Sequence, residues 1–185
     1  MKRMTVLLAA AMLTLSGCGY NTIQTLDEQA KNAQSDIQVQ LQRRADLVPN
    51  LVATVKGYAA HETEIFDALA SARAKLSGAV QSGDLDSMAV ANRQLTGALG
   101  RLIALSESNP QIKADQNFRM LQDQLEGTEN RIAVARRDYN DAVRQYNAYI
   151  RRFPQVLTAK AIGAKSRGYF QADSAATAAP PKVQF

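Results

Sequence analysis

Apolar and small side chains recur every three or four residues along four stretches of the 185-residue chain. The stretches span residues 23–41, 51–76, 85–103 and 118–153. This spacing places the apolar positions on one face of an α-helix, which buries that face against other helices. Because the connections are short, neighbouring helices should run antiparallel. The pattern predicts an all-α fold, an antiparallel up-and-down four-helix bundle with long helices.

Pro49 lies between the first two stretches, and two structures are compatible with it. The apolar repeat keeps its phase across Pro49, which favours one kinked helix. A single helix over residues 22–77 would be about 83 Å long, however, and no later pair of helices could cover its apolar face. Proline also lacks an amide donor and suits the first turn of a helix. We therefore predict a turn at residues 46–49 and two separate helices.

The last stretch has the most regular pattern, a seven-residue repeat that Pro154 should end. A helix over it would be about 60 Å long and would extend beyond its neighbours. The predicted overhang is basic, since residues 131–185 contain ten Lys or Arg and three Asp or Glu. A basic end points to anionic lipid head groups or an acidic partner, the alternative being a solvated face. Its arginines are Arg136, Arg137, Arg144, Arg151 and Arg152.

The N-terminal residues have the pattern of an export signal. Lys2 and Arg3 precede an apolar run that is shorter than the roughly 20 residues needed to cross a bilayer. The run ends in Leu-Ser-Gly-Cys at residues 15–18, which resembles the lipobox of bacterial lipoproteins. We expect cleavage before Cys18, which becomes the first residue of the mature chain and is lipidated. Acyl chains such as palmitate would then attach the protein to a membrane. The alternative is an ordinary secreted protein with an incidental cysteine.

These features divide the chain into four parts. We predict a signal peptide at residues 1–17, a lipidated tether at 18–22, a helical domain at 23–170 and a flexible tail at 171–185. The tail is rich in Ala and Pro and cannot bury enough apolar surface to become ordered. Gly19 follows the lipidated position, which favours the periplasmic face of the outer membrane if the host has two membranes.

Residue types that support catalysis or bind metals are scarce. Cys18 is the only cysteine and His61 the only histidine, so neither an internal disulfide nor a metal site is expected. His61-Glu62 resembles the start of a zinc-protease motif, which needs a second histidine where this chain has Ile65. We expect no cofactor. Nucleic acid is a poor candidate for a partner because the signal removes the protein from it.

Polar residues lie close to the apolar stripes at several positions. Buried charges must pair, so these residues most simply form interhelical salt bridges and hydrogen bonds. The alternative is a polar groove for a partner. The predicted structural set is Arg43, Arg44, Asp46, Pro49, Asn50, His61, Glu62 and Arg73. On the last helix, Tyr139-Asn140 and Tyr146-Asn147 recur seven residues apart, which places both pairs on one face.

Several separated motifs together resemble the LemA family. They are QLQRRADLVPNL at residues 40–51, ARRDYN at 135–140, YN at 146–147 and FP at 153–154. The resemblance covers residues 20–170 and implies an up-and-down helical bundle attached to the cell envelope. It implies no established enzyme activity and no agreed molecular role. This chain departs from the family pattern in having a lipobox where members usually have a transmembrane helix. It also has Glu-Ser-Asn-Pro at 107–110 where they commonly have Glu-x-Tyr-Pro.

Three functions follow as hypotheses. The first is a lipid-anchored, non-enzymatic adaptor or scaffold that binds an unidentified envelope protein. Its predicted partner-binding residues are Arg136, Arg137, Tyr139, Asn140, Arg144, Tyr146 and Asn147. The second is a self-assembling coiled-coil protein, a homo-oligomer formed through the seven-residue repeat of the last helix. The third is a hydrolase that uses His61 and Glu62.

Overall fold

The computed structural model describes residues 19–171, and no strand occurs within this range. The all-helical class predicted from the sequence is therefore confirmed for this part of the chain. Its six helices are α1 (Tyr20–Lys56), α2 (Thr63–Ser82), α3 (Leu85–Ser108), α4 (Pro110–Ala114), α5 (Gln116–Tyr149) and α6 (Gln155–Ala161). The predicted signal peptide, Cys18 and residues 172–185 of the predicted tail lie outside the described residues.

The helices α1 and α5 are the longest, about 55 and 51 Å, and they pack on each other in antiparallel orientation. Midway along the pair, the guanidinium of Arg44 forms an ion pair with Glu129. Near the start of α1, Ile23 shares an apolar cluster with Ile150, which follows the end of α5. The pair therefore forms the long axis of the molecule.

The helices α2 and α3 form an antiparallel hairpin that packs on only part of α1. Their connection passes through Gly83 at a φ of 70°, and Asp84 then caps α3 by accepting from the Ser87 amide over 2.8 Å. The amide of Gln34 in α1 donates to the Gly83 carbonyl over 3.0 Å. Since Gln34 lies opposite the tip of the hairpin, the first 14 residues of α1, residues 20–33, extend beyond it.

The first residues of α1 pack against α6 and the end of α5. We call this part of the molecule the base and define it as residues 19–26 and 146–166. A small apolar cluster joins Ile23, Tyr146, Ile150 and Ala159 of α6. The chain begins its described part in close contact with this cluster. A Cβ added to Gly19, whose φ is 135°, would lie 3.2 Å from Gln155 Cγ. The larger core includes side chains from α1 through α5, most of them under the hairpin, and extends beyond it to Ala30 and to the Phe170 ring.

The predicted turn at residues 46–49 is wrong, because α1 continues through Pro49. A proline inside a helix leaves the carbonyl four residues earlier without its amide donor. Here that carbonyl belongs to Ala45, and the Nε of Arg73 in α2 donates to it over 3.1 Å. Val48 and Leu51 are buried on either side of the proline. Packing of α2 across this point therefore keeps the helix continuous.

The predicted overhang of the last helix also differs from the structure. The helix ends at Tyr149 rather than Phe153, and its first turn is separated from α4 by Asp115, which caps α5. Its C-terminal half does not protrude alone, because the first residues of α1 and the chain after α6 pack against it. The basic end is thus part of a packed structure, to which residues 164–170 also contribute.

Candidate functional site

Two asparagines of α5 hold the segment 167–170 by its backbone. Asn147 Nδ2 donates to the Arg167 carbonyl over 2.9 Å, and the Arg167 amide donates to Asn147 Oδ1 over 2.9 Å. Asn140 makes the same pair of bonds with Phe170, at 3.0 and 2.8 Å. Each carboxamide therefore satisfies both the amide and the carbonyl of one residue, as a neighbouring strand would.

The spacing of these asparagines matches the spacing of the residues they hold. Seven residues of α-helix rise about 10.5 Å, and three residues of extended chain span about 10 Å. Asn140 and Asn147 are seven residues apart on one face, whereas Arg167 and Phe170 are three apart. An extended segment lying antiparallel to α5 therefore meets both carboxamides in register. Because these bonds involve only the backbone of the segment, they impose no side-chain requirement on it.

Side chains add specificity to the docked segment. Tyr139 Oη donates to the Gly168 carbonyl over 2.8 Å. The Phe170 ring is buried, and the guanidinium of Arg136 lies over it at 5.9 Å from the ring centroid. The guanidinium of Arg167 lies at the same distance from the Tyr146 ring centroid. The segment is thus fixed by two backbone clamps, one tyrosine hydroxyl and two cation–π contacts.

An ion pair ties the segment to the first helix as well. Arg167 Nε donates to Asp27 Oδ1 of α1 over 2.8 Å, and both side chains are largely shielded from solvent. The hydrogen bond from Arg167 lowers the pKa of Asp27 below its usual value, with a further contribution from Lys31. Burial raises the pKa values of Tyr139 and Tyr146. The segment therefore links α1 and α5 through a charged contact.

A second polar cluster lies deeper, where α1, α3 and α5 meet. Arg44 is only 4% exposed, and its Nη1 donates to Asn92 Oδ1 over 2.7 Å while also pairing with Glu129. Burial lowers the pKa of Arg44 from its ordinary value, and the Glu129 carboxylate opposes that effect. Asn92 is the polar partner that the sequence did not indicate. The cluster fixes three helices in one register and has the geometry of a structural network.

The remaining residues of the predicted structural set are dispersed. Asp46 accepts from the Gln42 amide over 2.8 Å on the exposed side of α1, and Asn50 is exposed. His61 and Glu62 are exposed next to the start of α2. Arg43 points away from Arg44 and lines an open groove of about 870 Å³ with Arg119 and Arg131. Within residues 19–171 no group of three or more His, Cys, Asp or Glu side chains could hold a metal ion.

The predicted partner-binding residues separate into two classes. Arg136, Tyr139, Asn140, Tyr146 and Asn147 contact the chain's own segment, as described above. Arg137 and Arg144 are exposed on the outer side of α5, and among the described residues they form ion pairs with the nearby Asp138 and Asp141 of the same helix.

Sequence reasoning missed Asp27, Arg167 and Phe170 as members of this site. The available signal was the pair of Tyr-Asn dipeptides, because an asparagine that points into a seam needs a backbone or side-chain partner. That signal does not identify which segment supplies the partner. Periodicity ends before residue 160, so the docked segment had no pattern of its own.

Comparisons with known proteins agree with the motifs described above. The model of the LemA family matches residues 33–185. Two magnetosome proteins of Paramagnetospirillum magneticum (strain ATCC 700264 / AMB-1), MamQ 1 and MamQ 2, are each 30% identical to the chain over 190 aligned positions. Those alignments cover 90% of this chain and 70% of each relative. The magnetosome protein MamQ of Magnetospirillum gryphiswaldense (strain DSM 6361 / JCM 21280 / NBRC 15271 / MSR-1) is 28% identical over 193 positions, covering 92% of this chain and 71% of the relative.

Proposed function

Since the chain belongs to the LemA family, we propose that it is a non-enzymatic, helical protein of the bacterial cell envelope. In this proposal a lipid on Cys18 anchors it, and the antiparallel helical bundle serves as an adaptor or scaffold for another envelope component. None of the helices within residues 19–171 is long and apolar enough to cross a membrane. Attachment through an acylated cysteine requires no such helix, since two or more acyl chains suffice for stable anchoring.

The observation that carries the proposal is the position of the residue that follows Cys18. Gly19 lies at the base, where an added Cβ would be 3.2 Å from Gln155 Cγ and 3.4 Å from Tyr149 Oη. A lipid at Cys18 would therefore hold the molecule by one end of its long axis. From there α1 extends about 55 Å, so the α2–α3 hairpin would project away from the membrane. A protein held in this way is suited to present a surface to other envelope components.

We place the contact with an acidic partner on the outer side of α5. Arg137 and Arg144 lie seven residues apart on α5, and Arg151 follows after another seven, just beyond the end of the helix. All three are exposed, so they form a basic stripe. Such a stripe attracts an acidic surface and increases the rate of encounter. The other five predicted residues support the stripe indirectly, because they hold the segment that fixes this half of α5 against α1.

The experiment that tests the anchor is mass spectrometry of the N-terminal peptide of the native protein. We expect an acylated Cys18 at the start of the mature chain and loss of this species in Cys18→Ser. Membrane fractionation then tests the predicted outer-membrane location. A native peptide with an unmodified thiol, or one that retains Met1, would refute the lipid anchor.

The adaptor role is tested by crosslinking in living cells. A photo-crosslinking residue in place of Arg144 should capture a protein partner, and Arg137→Glu with Arg151→Glu should abolish that capture. Arg101→Glu with Arg131→Glu is the matched control, since it changes the net charge equally at exposed positions away from the stripe. Equal capture in the two double variants would contradict the proposed surface.

A further inference from the structure

The base exposes several large apolar side chains. Phe153 is 77% exposed, Leu157 is 60% exposed and Ile162 is 39% exposed, and Tyr20 at the start of α1 is 46% exposed. Single exposed apolar residues are ordinary on protein surfaces. Here, however, three of them lie within ten residues of one another, on the connection after α5, on α6 and just beyond it. Such a concentration of exposed apolar side chains needs an explanation, whereas a single exposed residue does not.

Packing within residues 19–171 does not account for these side chains. The helix α6 uses Ala159 to contact Ile23 of α1, and Ala159 is buried. Leu157 is two residues away, about 200° around the helix axis, and therefore faces the opposite direction. Truncating Leu157 would remove little from the folded core. Leu157 therefore lies on a side of α6 that nothing within residues 19–171 covers.

The same end of the molecule is strongly basic. Residues 142–166 contain no Asp or Glu, and residues 19–26 contain no charged residue. No ion pair is formed by Arg152 or Lys160 with the described residues, and both are exposed. The cations of this stretch are Arg144, Arg151, Arg152, Lys160 and Lys165. Exposed apolar side chains flanked by cations are typical of elements that lie in a membrane interface.

We propose that the base is a docking surface for an anionic lipid membrane. Phe153 and Leu157 insert between the head groups, and Arg152 and Lys160 contact the lipid phosphates. This inference deepens the proposed function and rests on it, because the lipid on Cys18 would bring the base to the bilayer. It adds a second attachment, which fixes the orientation of the molecule. A lipid tether alone would leave the body free to rotate about residue 19.

The chain contains no tryptophan, so a single introduced tryptophan reports its own surroundings. We would reconstitute the mature protein into vesicles of phosphatidylglycerol and phosphatidylcholine, carrying either Leu157→Trp or Phe153→Trp. Both tryptophans should have blue-shifted emission and should be quenched by brominated lipid. Val39→Trp is the matched control, because Val39 is also 60% exposed but lies on α1 beside the hairpin. It should emit as in water and remain unquenched.

The charge of the surface is tested with a second pair of variants. Arg152→Glu with Lys160→Glu should weaken the association of the base with the vesicle by at least about tenfold, which reduces the quenching of the tryptophan at position 157. Arg101→Glu with Arg131→Glu introduces the same change in net charge away from the base and should leave quenching unchanged. Far-ultraviolet circular dichroism confirms that each variant retains its helices.

Each outcome supports or overturns the proposal. Unquenched tryptophans at positions 153 and 157 would overturn it. Equal quenching in vesicles of pure phosphatidylcholine would overturn the role assigned to the cations. Failure of the lipid anchor is detected separately by the mass of the N-terminal peptide. An unmodified Cys18 together with a quenched tryptophan at position 157 would refute the anchor and leave the docking surface supported.

Discussion

Arg73 compensates for the missing amide of Pro49. Its Nε donates to the Ala45 carbonyl, the group that the amide of residue 49 would contact in an uninterrupted helix. An unsatisfied carbonyl in a packed interface costs about 1–3 kcal/mol. We expect Arg73→Ala to lower the free energy of unfolding by about 1–2 kcal/mol. In a Pro49→Ala background the new amide replaces the lost donor, so the same substitution should cost less than half as much.

Urea denaturation of the four proteins in this double-mutant cycle measures the coupling between the two residues. Lys75→Ala is the control, because Lys75 is exposed on the same helix as Arg73. It should change the free energy of unfolding little in either background. If Arg73→Ala is equally costly with and without the proline, the compensation does not operate.

Asp27 provides a pH-dependent contact at the residue scale. Its pKa is lowered mainly by the hydrogen bond from Arg167. A carboxyl whose pKa is lower in the folded state stabilises the fold above its unfolded pKa, and this contribution is lost as pH falls through the folded pKa. We expect acidification from pH 6 to below about pH 4 to loosen the docked segment.

Nuclear magnetic resonance of the Arg167 amide during an acid titration measures this loosening. Asp27→Asn should loosen the segment already at pH 6, by about 1 kcal/mol, and should remove most of the dependence on acid. Asp36→Asn alters an exposed carboxyl on the same helix and is the control. A titration of Asp27→Asn identical to that of the unaltered protein would exclude Asp27 as the acid-sensitive group.

At the scale of elements, the docked segment depends on two clamps that should act independently. Asn147→Ala removes both bonds to Arg167, and Asn140→Ala removes both bonds to Phe170. Each loss of two hydrogen bonds corresponds to about 1–3 kcal/mol. Hydrogen exchange of the amide at the affected clamp should become about 5- to 100-fold faster. Gln145→Ala, on the exposed side of α5, should leave both amides protected.

The helices could be predicted from the sequence because a 3.6-residue apolar repeat leaves little choice of structure. The effect of a proline within the repeat was harder to predict. The repeat keeps its phase across Pro49, yet the continuity of α1 depends on Arg73, which is 24 residues away in sequence. Among the polar residues near the stripes, Arg44 is buried and pairs with Glu129 and Asn92, as a cation that deep requires. Asn50 and His61 are instead exposed.

Only the part of the candidate site that lies on α5 was predictable from the sequence. The pairs Tyr139-Asn140 and Tyr146-Asn147 were recognised as a shared face. Their partner was not, since the segment 167–170 has neither helical periodicity nor strand alternation. Side-chain carboxamides that bind a backbone place almost no requirement on the sequence they bind. A contact of this kind becomes visible only when the chain path is known.

As a whole, the molecule has two ends of unequal stability. The core under the hairpin includes large buried side chains from five helices, among them Leu41, Leu69 and Leu102. The cluster at the base contains only four buried residues. Opening of a region requires less free energy when fewer apolar contacts are lost. The base should therefore open more easily than the hairpin end, unless the docked segment holds α1 and α5 together.

Truncation of the chain tests this division. A chain that ends at Gly163 lacks the backbone groups that Asn140 and Asn147 bind. It also lacks the Arg167–Asp27 ion pair and the buried Phe170 ring. We expect hydrogen exchange to become at least tenfold faster in residues 20–33 and 140–149, because these parts of α1 and α5 would keep only the small base cluster and the margin of the larger core, which includes Ala30 and Val143. Exchange in residues 121–132, which pack in the larger core, should change little.

The matched control is a chain that ends at Gln171, since it keeps every described contact of the segment. Its exchange should equal that of the whole protein at both ends. Uniform acceleration over the whole of α1 in the Gly163 truncation would mean that the molecule unfolds as one unit. In that case the segment would stabilise the entire fold, and the base could not open while the hairpin end stays folded.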